Sequence, residues 1–122
     1  MYELTISGEF AAAHYLKGYQ GPCQVLHGHT WKLEVTIHSA VLNELGLVVD
    51  FKELKSRLQE ILKPLDHGCL NDLPAFQNTN PTTENLAKYI YQEFRRQSLP
   101  VQVKQVRVWE SDSSSVIYYE EG

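Results

Sequence analysis

Ten residues, Thr30 to Ser39, alternate without a break: Trp31, Leu33, Val35 and Ile37 on one side, Lys32, Glu34, Thr36 and His38 on the other. A period of two sorts side chains onto opposite faces of an extended chain, so this stretch is a strand of a sheet with one covered face and one wet face. Tyr2 to Ala13 repeats the signal, with Tyr2, Leu4 and Ile6 opposed to Glu3, Thr5 and Ser7. Gly8 marks a bulge in this reading, after which Phe10, Ala12 and His14 share a face. Near the C-terminus, Val101–Glu110 reads as a strand whose phase slips near Gln105, and Val116–Tyr119 as the last strand, joined by the polar turn Ser111–Ser115.

Between the strand pairs the apolar period changes to that of a helix. Asp50 suits an N-cap, Glu53 gives a capping-box-like spacing, and Leu54, Leu58, Ile61 and Leu62 form one stripe before Pro64 stops the turn. A second helix opens after Pro81 with Thr82 as N-cap, carries Leu86, Ile90 and Phe94, and ends over Gln97–Pro100. The order strand, strand, helix, helix, strand, strand predicts an α+β fold: a four-stranded antiparallel sheet with both helices on one face. One domain spanning 1–122 is expected at this length. Eleven basic against fifteen acidic residues leave a net charge of −4, so no electrostatic case exists for nucleic acid or an anionic membrane. Cys23 and Cys69 show no disulfide-like spacing, which suits reduced thiols and a cytoplasmic setting. Cys69 reads as a small buried residue.

The segment Cys23-Gln-Val-Leu-His27-Gly28-His29 carries the metal chemistry. In extended backbone, residues two apart project to one side, with Cα atoms roughly 6.6 Å apart. Two imidazoles so placed can meet on one ion at ~2.0–2.1 Å from each nitrogen, and Gly28 between them lets the backbone bend. His14 would supply a third imidazole, and three protein ligands leave one position open, as in a catalytic zinc site. Cys23 stands as either a fourth ligand or a nearby thiolate base. Asp66-His67 pairs a carboxylate with an imidazole able to move a proton near neutral pH. His38, of opposite parity to His29, reads as a surface residue.

His14, Cys23-x-x-x-His27-Gly28-His29, Leu65-Asp66-His67, Leu70-Asn71-Asp72, Pro81-Thr82-Thr83-Glu84 and Glu110 occur in that order along nearly the whole chain. This ordered set resembles the 6-pyruvoyltetrahydropterin synthase family, and most closely its bacterial 6-carboxytetrahydropterin synthase branch. The resemblance implies zinc on His14, His27 and His29, with Cys23, Asp66 and His67 catalytic. It further implies that Glu110 anchors a pterin and that Thr82, Thr83 and Glu84 line the pterin pocket. The implied reaction converts 7,8-dihydroneopterin triphosphate to 6-carboxy-5,6,7,8-tetrahydropterin with release of acetaldehyde and triphosphate, in queuosine biosynthesis. The implied fold is the tunnelling fold, closed into an oligomeric barrel from trimeric rings stacked as a hexamer. Three residues between Cys23 and His27 fit the carboxy-forming branch. Alternative readings are the pyruvoyl-forming reaction, a non-catalytic module stapled by zinc, and an unrelated three-histidine hydrolase.

Overall fold

The computed structural model describes residues 1–97, 99 and 101–121, and of Cys23 the backbone alone. Five strands form one sheet: β1 (Tyr2–His14), β2 (His27–Ser39), β3 (Gly68–Cys69), β4 (Gln102–Ser111) and β5 (Ser114–Tyr118), in the order β3-β1-β2-β4-β5. Helix α1 (Phe51–Leu62) follows β2, and α2 (Thr83–Arg95) precedes β4. The expected four antiparallel strands are present, and both helices pack on one face. The fifth strand, β3, is two residues long and runs parallel to β1, pairing Ala12 with Gly68 and Ala13 with Cys69. Periodicity cannot reveal a strand of two residues, which is why this stretch reads as a loop.

The alternation decides which face is covered. Ile6, Phe10 and Ala12 of β1, Trp31, Leu33, Val35 and Ile37 of β2, and Val106 and Val108 of β4 form the core with the two helices. The helices contribute Leu54, Leu58, Ile61 and Leu62, and Leu86, Ala87, Ile90, Tyr91 and Phe94. Each fully buried Leu or Ile among them contributes about 1.5–3 kcal/mol relative to exposure. The other sheet face stays polar, with Thr5 and Thr36 hydroxyls 3.0 Å apart and the Arg107 guanidinium 4.8 Å from the Trp109 ring.

Gly8 does not mark a bulge. β1 pairs with β2 residue for residue from Tyr2–Ser39 to His14–His27, with Gly8 opposite Leu33. The glycine serves packing instead: a Cβ there would lie 3.0 Å from Leu62 Cδ1 and 3.2 Å from Leu58 Cδ2, so its absence lets α1 sit close to the sheet. The predicted slip near Gln105 is present, as Thr36 pairs with Gln105 and Ile37 with Val103, leaving Lys104 extra. A second irregularity was not expected: Trp109 pairs with Ser115 and Ser111 with Ser114, so Glu110 has no partner on β5. The hairpin turn is thus shorter than the sequence suggests, and β5 begins at Ser114.

Asp50 caps α1 by accepting from the Lys52 amide, but Glu53 turns to Arg57 at 3.0 Å and not back to the cap. Thr82 caps α2 through the Asn85 amide. Ser98 and Pro100, part of the predicted end of α2, lie outside the described residues. Among the described residues no helix is long and apolar enough to cross a membrane.

Candidate metal centre

The stripes that build the core also deliver the site. Even-numbered residues of β1 and odd-numbered residues of β2 face the helices, and at one end of the sheet these stripes finish in His14 and in His27 and His29. Glu110 continues the Val106–Val108 stripe of β4. β2 starts at His27 and not at Thr30, and it pairs His27 with His14, and Gly28 with Ala13, in unbroken register. No bend at Gly28 is needed for the rings to meet. His14, His27, His29 and Glu110 each offer one ligand atom, and these four atoms lie within 4.8 Å of one another. Trp31, fully buried, forms the floor, its ring centre 4.9 Å from that of His14 and 5.2 Å from that of His29.

Backbone carbonyls set the tautomers. His14 Nδ1 lies 2.8 Å from the Pro81 carbonyl oxygen and His27 Nδ1 lies 2.7 Å from that of Val25. A carbonyl can only accept, so each Nδ1 carries the hydrogen and, in a neutral ring, each Nε2 presents a bare lone pair. Those two Nε2 atoms face each other at 3.1 Å. Two lone pairs at that distance repel unless a cation stands near both. His29 Nε2 is buried and has no hydrogen-bond partner among the described residues, although such an atom ordinarily finds one. Burial lowers the His14 and His29 pKa values, and neighbouring imidazoles push the same way. Three imidazoles with converging ring nitrogens, two of them held from behind by a backbone carbonyl, are the donor set of a nitrogen-bound metal ion. The residues fit one.

The other expected residues fall in three places. Thr83, 5% exposed, donates its hydroxyl to Glu110 Oε2 at 3.0 Å, joining the first turn of α2 to the cluster. Thr82 serves as N-cap and Glu84 is exposed, and among the described residues no side-chain hydrogen bond joins either to the cluster. The backbone of Cys23 lies in the short 3-10 turn Pro22–Gln24 that precedes β2, and its side chain lies outside what the structure describes. Asp66 and His67 do form a pair, with His67 Nδ1 2.9 Å from Asp66 Oδ2. They stand at the outer edge of β1: the Ala11 amide donates to Asp66 Oδ1 at 2.9 Å, and the His67 amide donates to the Ala11 carbonyl at 2.6 Å. The His67 side chain is 82% exposed. Cys69, half-buried in β3, is less enclosed than expected, and His38 sits at the opposite end of β2, across from Glu3.

Two asparagines have positions that residue-type reasoning missed. Asn71 Oδ1 accepts from the Tyr15 amide and its Nδ2 donates to the Tyr15 carbonyl; Asn80 does the same for Lys17. Side-chain amides here stand in for a neighbouring strand and fix the chain that leaves His14. An amide side chain carries one donor and one acceptor group like a peptide, which is the signal available in advance.

Across residues 3–121 the sequence matches the family described as 6-pyruvoyl tetrahydropterin synthase. The chain belongs to that family. Among relatives of this pterin synthase family, human 6-pyruvoyl tetrahydrobiopterin synthase is 40% identical over 95 residues, covering 75% of this chain; the match spans 65% of the human protein's length. The 6-carboxy-5,6,7,8-tetrahydropterin synthase of Haemophilus influenzae is 30% identical over 142 residues, covering 98% of this chain and all of that one. The solved structure of Caenorhabditis elegans 6-pyruvoyl tetrahydropterin synthase superposes with a TM-score of 0.90 at 25% identity, covering 98% of this chain and 96% of that one.

Proposed function

We propose that this chain is a zinc-dependent carbon–carbon lyase that converts 7,8-dihydroneopterin triphosphate to 6-carboxy-5,6,7,8-tetrahydropterin, releasing acetaldehyde and triphosphate. The observation that carries the reading is the convergence of His14, His27 and His29 nitrogens, with no protein partner for His29 Nε2, beside a carboxylate. The H. influenzae relative, matched end to end, supports the carboxy-forming branch. The pyruvoyl-forming reaction is the second reading, favoured by the human relative's higher identity over a shorter span. One domain, 1–122, carries the activity, in the cytoplasm and on the route to queuosine.

Zinc held by His14, His27 and His29 supplies Lewis acidity toward the vicinal hydroxyls of the substrate side chain. Glu110 accepts the N–H donors on the amino-oxo edge of the pterin, and charge-assisted bonds of that kind contribute ~1.5–3 kcal/mol each. Thr83 holds that carboxylate in place from the start of α2; Thr82 and Glu84 complete the wall of the pocket. Cys23, as thiolate, removes the carbon-bound proton beside the pterin ring, and His67, oriented by Asp66, passes protons on. Little slack separates Cys23 from His27: the Pro22–Gln24 turn closes with Val25 N to Pro22 O at 3.1 Å, and the Val25 carbonyl then grips His27. In this reading the short spacing from Cys23 to His27 favours completing the cleavage over release of a pyruvoyl product. Because His67 is exposed at the sheet edge, the active sites in this reading lie between subunits of a homo-oligomer, a trimeric ring stacked as a hexamer.

Zinc-loaded protein incubated with dihydroneopterin triphosphate should release acetaldehyde in step with substrate loss, read by coupled alcohol dehydrogenase and by product mass. Substrate loss with triphosphate but no acetaldehyde moves the chain to the pyruvoyl-forming branch. Full zinc occupancy in both His27→Ala and His29→Ala would remove the metal assignment.

A further inference from the structure

Three residues beyond His14 stands Lys17, whose Cα can lie no more than ~11 Å from that of His14. Asn80 accepts from the Lys17 amide at 2.9 Å and donates to its carbonyl at 3.0 Å, and the carbonyl of the next residue, Pro81, holds His14. Two consecutive residues therefore fix a histidine of the cluster and a lysine in one frame. Asn80 grips backbone only, so the Lys17 side chain is left free, and no described carboxylate pairs with its ammonium.

Lys17 borders a cavity of about 220 Å³ whose other walls are Asn71 and the loop 76–80. Beside the Phe76 ring, the lining is one cation, the Thr79 hydroxyl and four carboxamides, with no acidic side chain. Two larger cavities differ in this respect: Glu120 and Glu121 line one, and Glu9, Glu34 and Asp112 the other. On a chain of net charge −4, a cavity without carboxylates around an unpaired cation is where an anion is held with least repulsion. The backbone N–H groups of Asn78 and Thr79 have no protein acceptor among the described residues, so donors remain for such an anion. Sites that enclose a whole small molecule run to roughly 300–1,000 Å³. A smaller cavity suits one group of a larger ligand.

We infer that this cavity holds a phosphate group of the substrate, with Lys17 as its counter-ion. The identity of the substrate rests on the proposed function; the oxyanion chemistry rests on the cavity alone. Lysine binds phosphate as a point charge on a flexible stem, and N–H groups beside it supply further donors. In dihydroneopterin triphosphate the phosphate chain starts one carbon beyond the vicinal hydroxyls, so its subsite has to border the metal centre, and Lys17 does. Anchored there, the phosphate fixes the side chain across the centre, and phosphorylated pterins are preferred over unphosphorylated ones.

The test compares neopterin triphosphate with neopterin by calorimetry on the zinc-loaded protein, in wild type, Lys17→Gln, Lys17→Arg and Asn78→Asp. All three variants change exposed side chains and leave the Asn80 clamp in place. Wild type should bind the triphosphate more tightly than neopterin. Lys17→Gln should weaken the triphosphate about threefold to thirtyfold and leave neopterin unchanged. Asn78→Asp, which adds a carboxylate to the cavity wall, should act in the same direction, and Lys17→Arg should keep the preference. Inorganic phosphate should compete with neopterin triphosphate but not with neopterin, and should shift the backbone amide NMR signals of Asn78 and Thr79. Equal weakening of both pterins in Lys17→Gln would mark a structural effect and overturn the inference. Phosphate that shifts those signals without competing would mark a site for free anions and overturn the link to the substrate. A triphosphate preference untouched by Lys17→Gln sinks the subsite and leaves the lyase reading, whereas phosphate bound at Asn78 with neither pterin bound sinks the lyase reading and leaves the oxyanion site.

Discussion

His67 has φ of 61°, the left-handed region that side-chain-bearing residues rarely enter, and it is the sole non-glycine residue there among those described. His and Asn tolerate this conformation better than β-branched residues, for which it costs roughly 1–2 kcal/mol or more. Its two roles can therefore be separated. His67→Asn should keep stability within about 0.5 kcal/mol and lose most turnover, while His67→Val should lose both; denaturant midpoints and initial rates check the pair. Equal stability in the two variants would show that the backbone conformation is unimportant. Beside it, the Ala11 amide and then His67 hold the Asp66 carboxyl below its ordinary pKa of 3.8. A depressed carboxyl contributes stability that is present above the unfolded value and is lost as pH falls through the lower folded one. The stability gap between wild type and Asp66→Asn should be constant above about pH 5 and shrink below pH 4. A gap that widens on acidification would contradict the sign.

At the scale of elements, the close seating of α1 on β1 depends on Gly8. Its missing Cβ would stand 3.0–3.2 Å from the ends of two leucines, so Gly8→Ala needs small side-chain adjustments, while Gly8→Val overpacks the interface. Overpacking of this kind costs about 1–3 kcal/mol, to be read by urea denaturation; a loss under 0.5 kcal/mol would mean that α1 is free to slide. Gly8 also shows where the sequence misleads. A glycine within an alternating run signals a bulge or a close approach, and only the helix packed above it decides which. The slip at Gln105 was legible because apolar residues change phase there, but the bulge at Glu110 was not, since Ser111–Ser115 carries no apolar phase to break. His14, His27 and His29 were legible together because strand parity set their direction, and the resemblance to a known family supplied the rest. What could not be read were the backbone partners, Pro81 and Val25, since a carbonyl has no signature in the residue alphabet. Asn71 and Asn80 were hidden for the opposite reason: polar loop residues are common, and nothing local says that their amides will act as a strand.

The whole molecule is one sheet with two unlike faces and two open margins. β3 covers only Ala12 and Ala13 of the β1 edge, and β5 forms the opposite margin. Unpaired edges invite pairing with further copies, so the proposed trimeric or hexameric assembly should appear by sedimentation velocity; a monomer at micromolar concentration would refute it. The chain has two tryptophans, one for each face. Trp31 is sealed under the histidines, while Trp109 lies half-buried on the polar face against Arg107. Each indole thus emits from a different neighbourhood and reports a different event. Co2+ should quench Trp31, seen in isolation in Trp109→Phe, whereas dilution that separates subunits should red-shift Trp109, seen in isolation in Trp31→Phe. Illuminated at one wavelength, the protein would report separately on the filling of its centre and the closing of its ring.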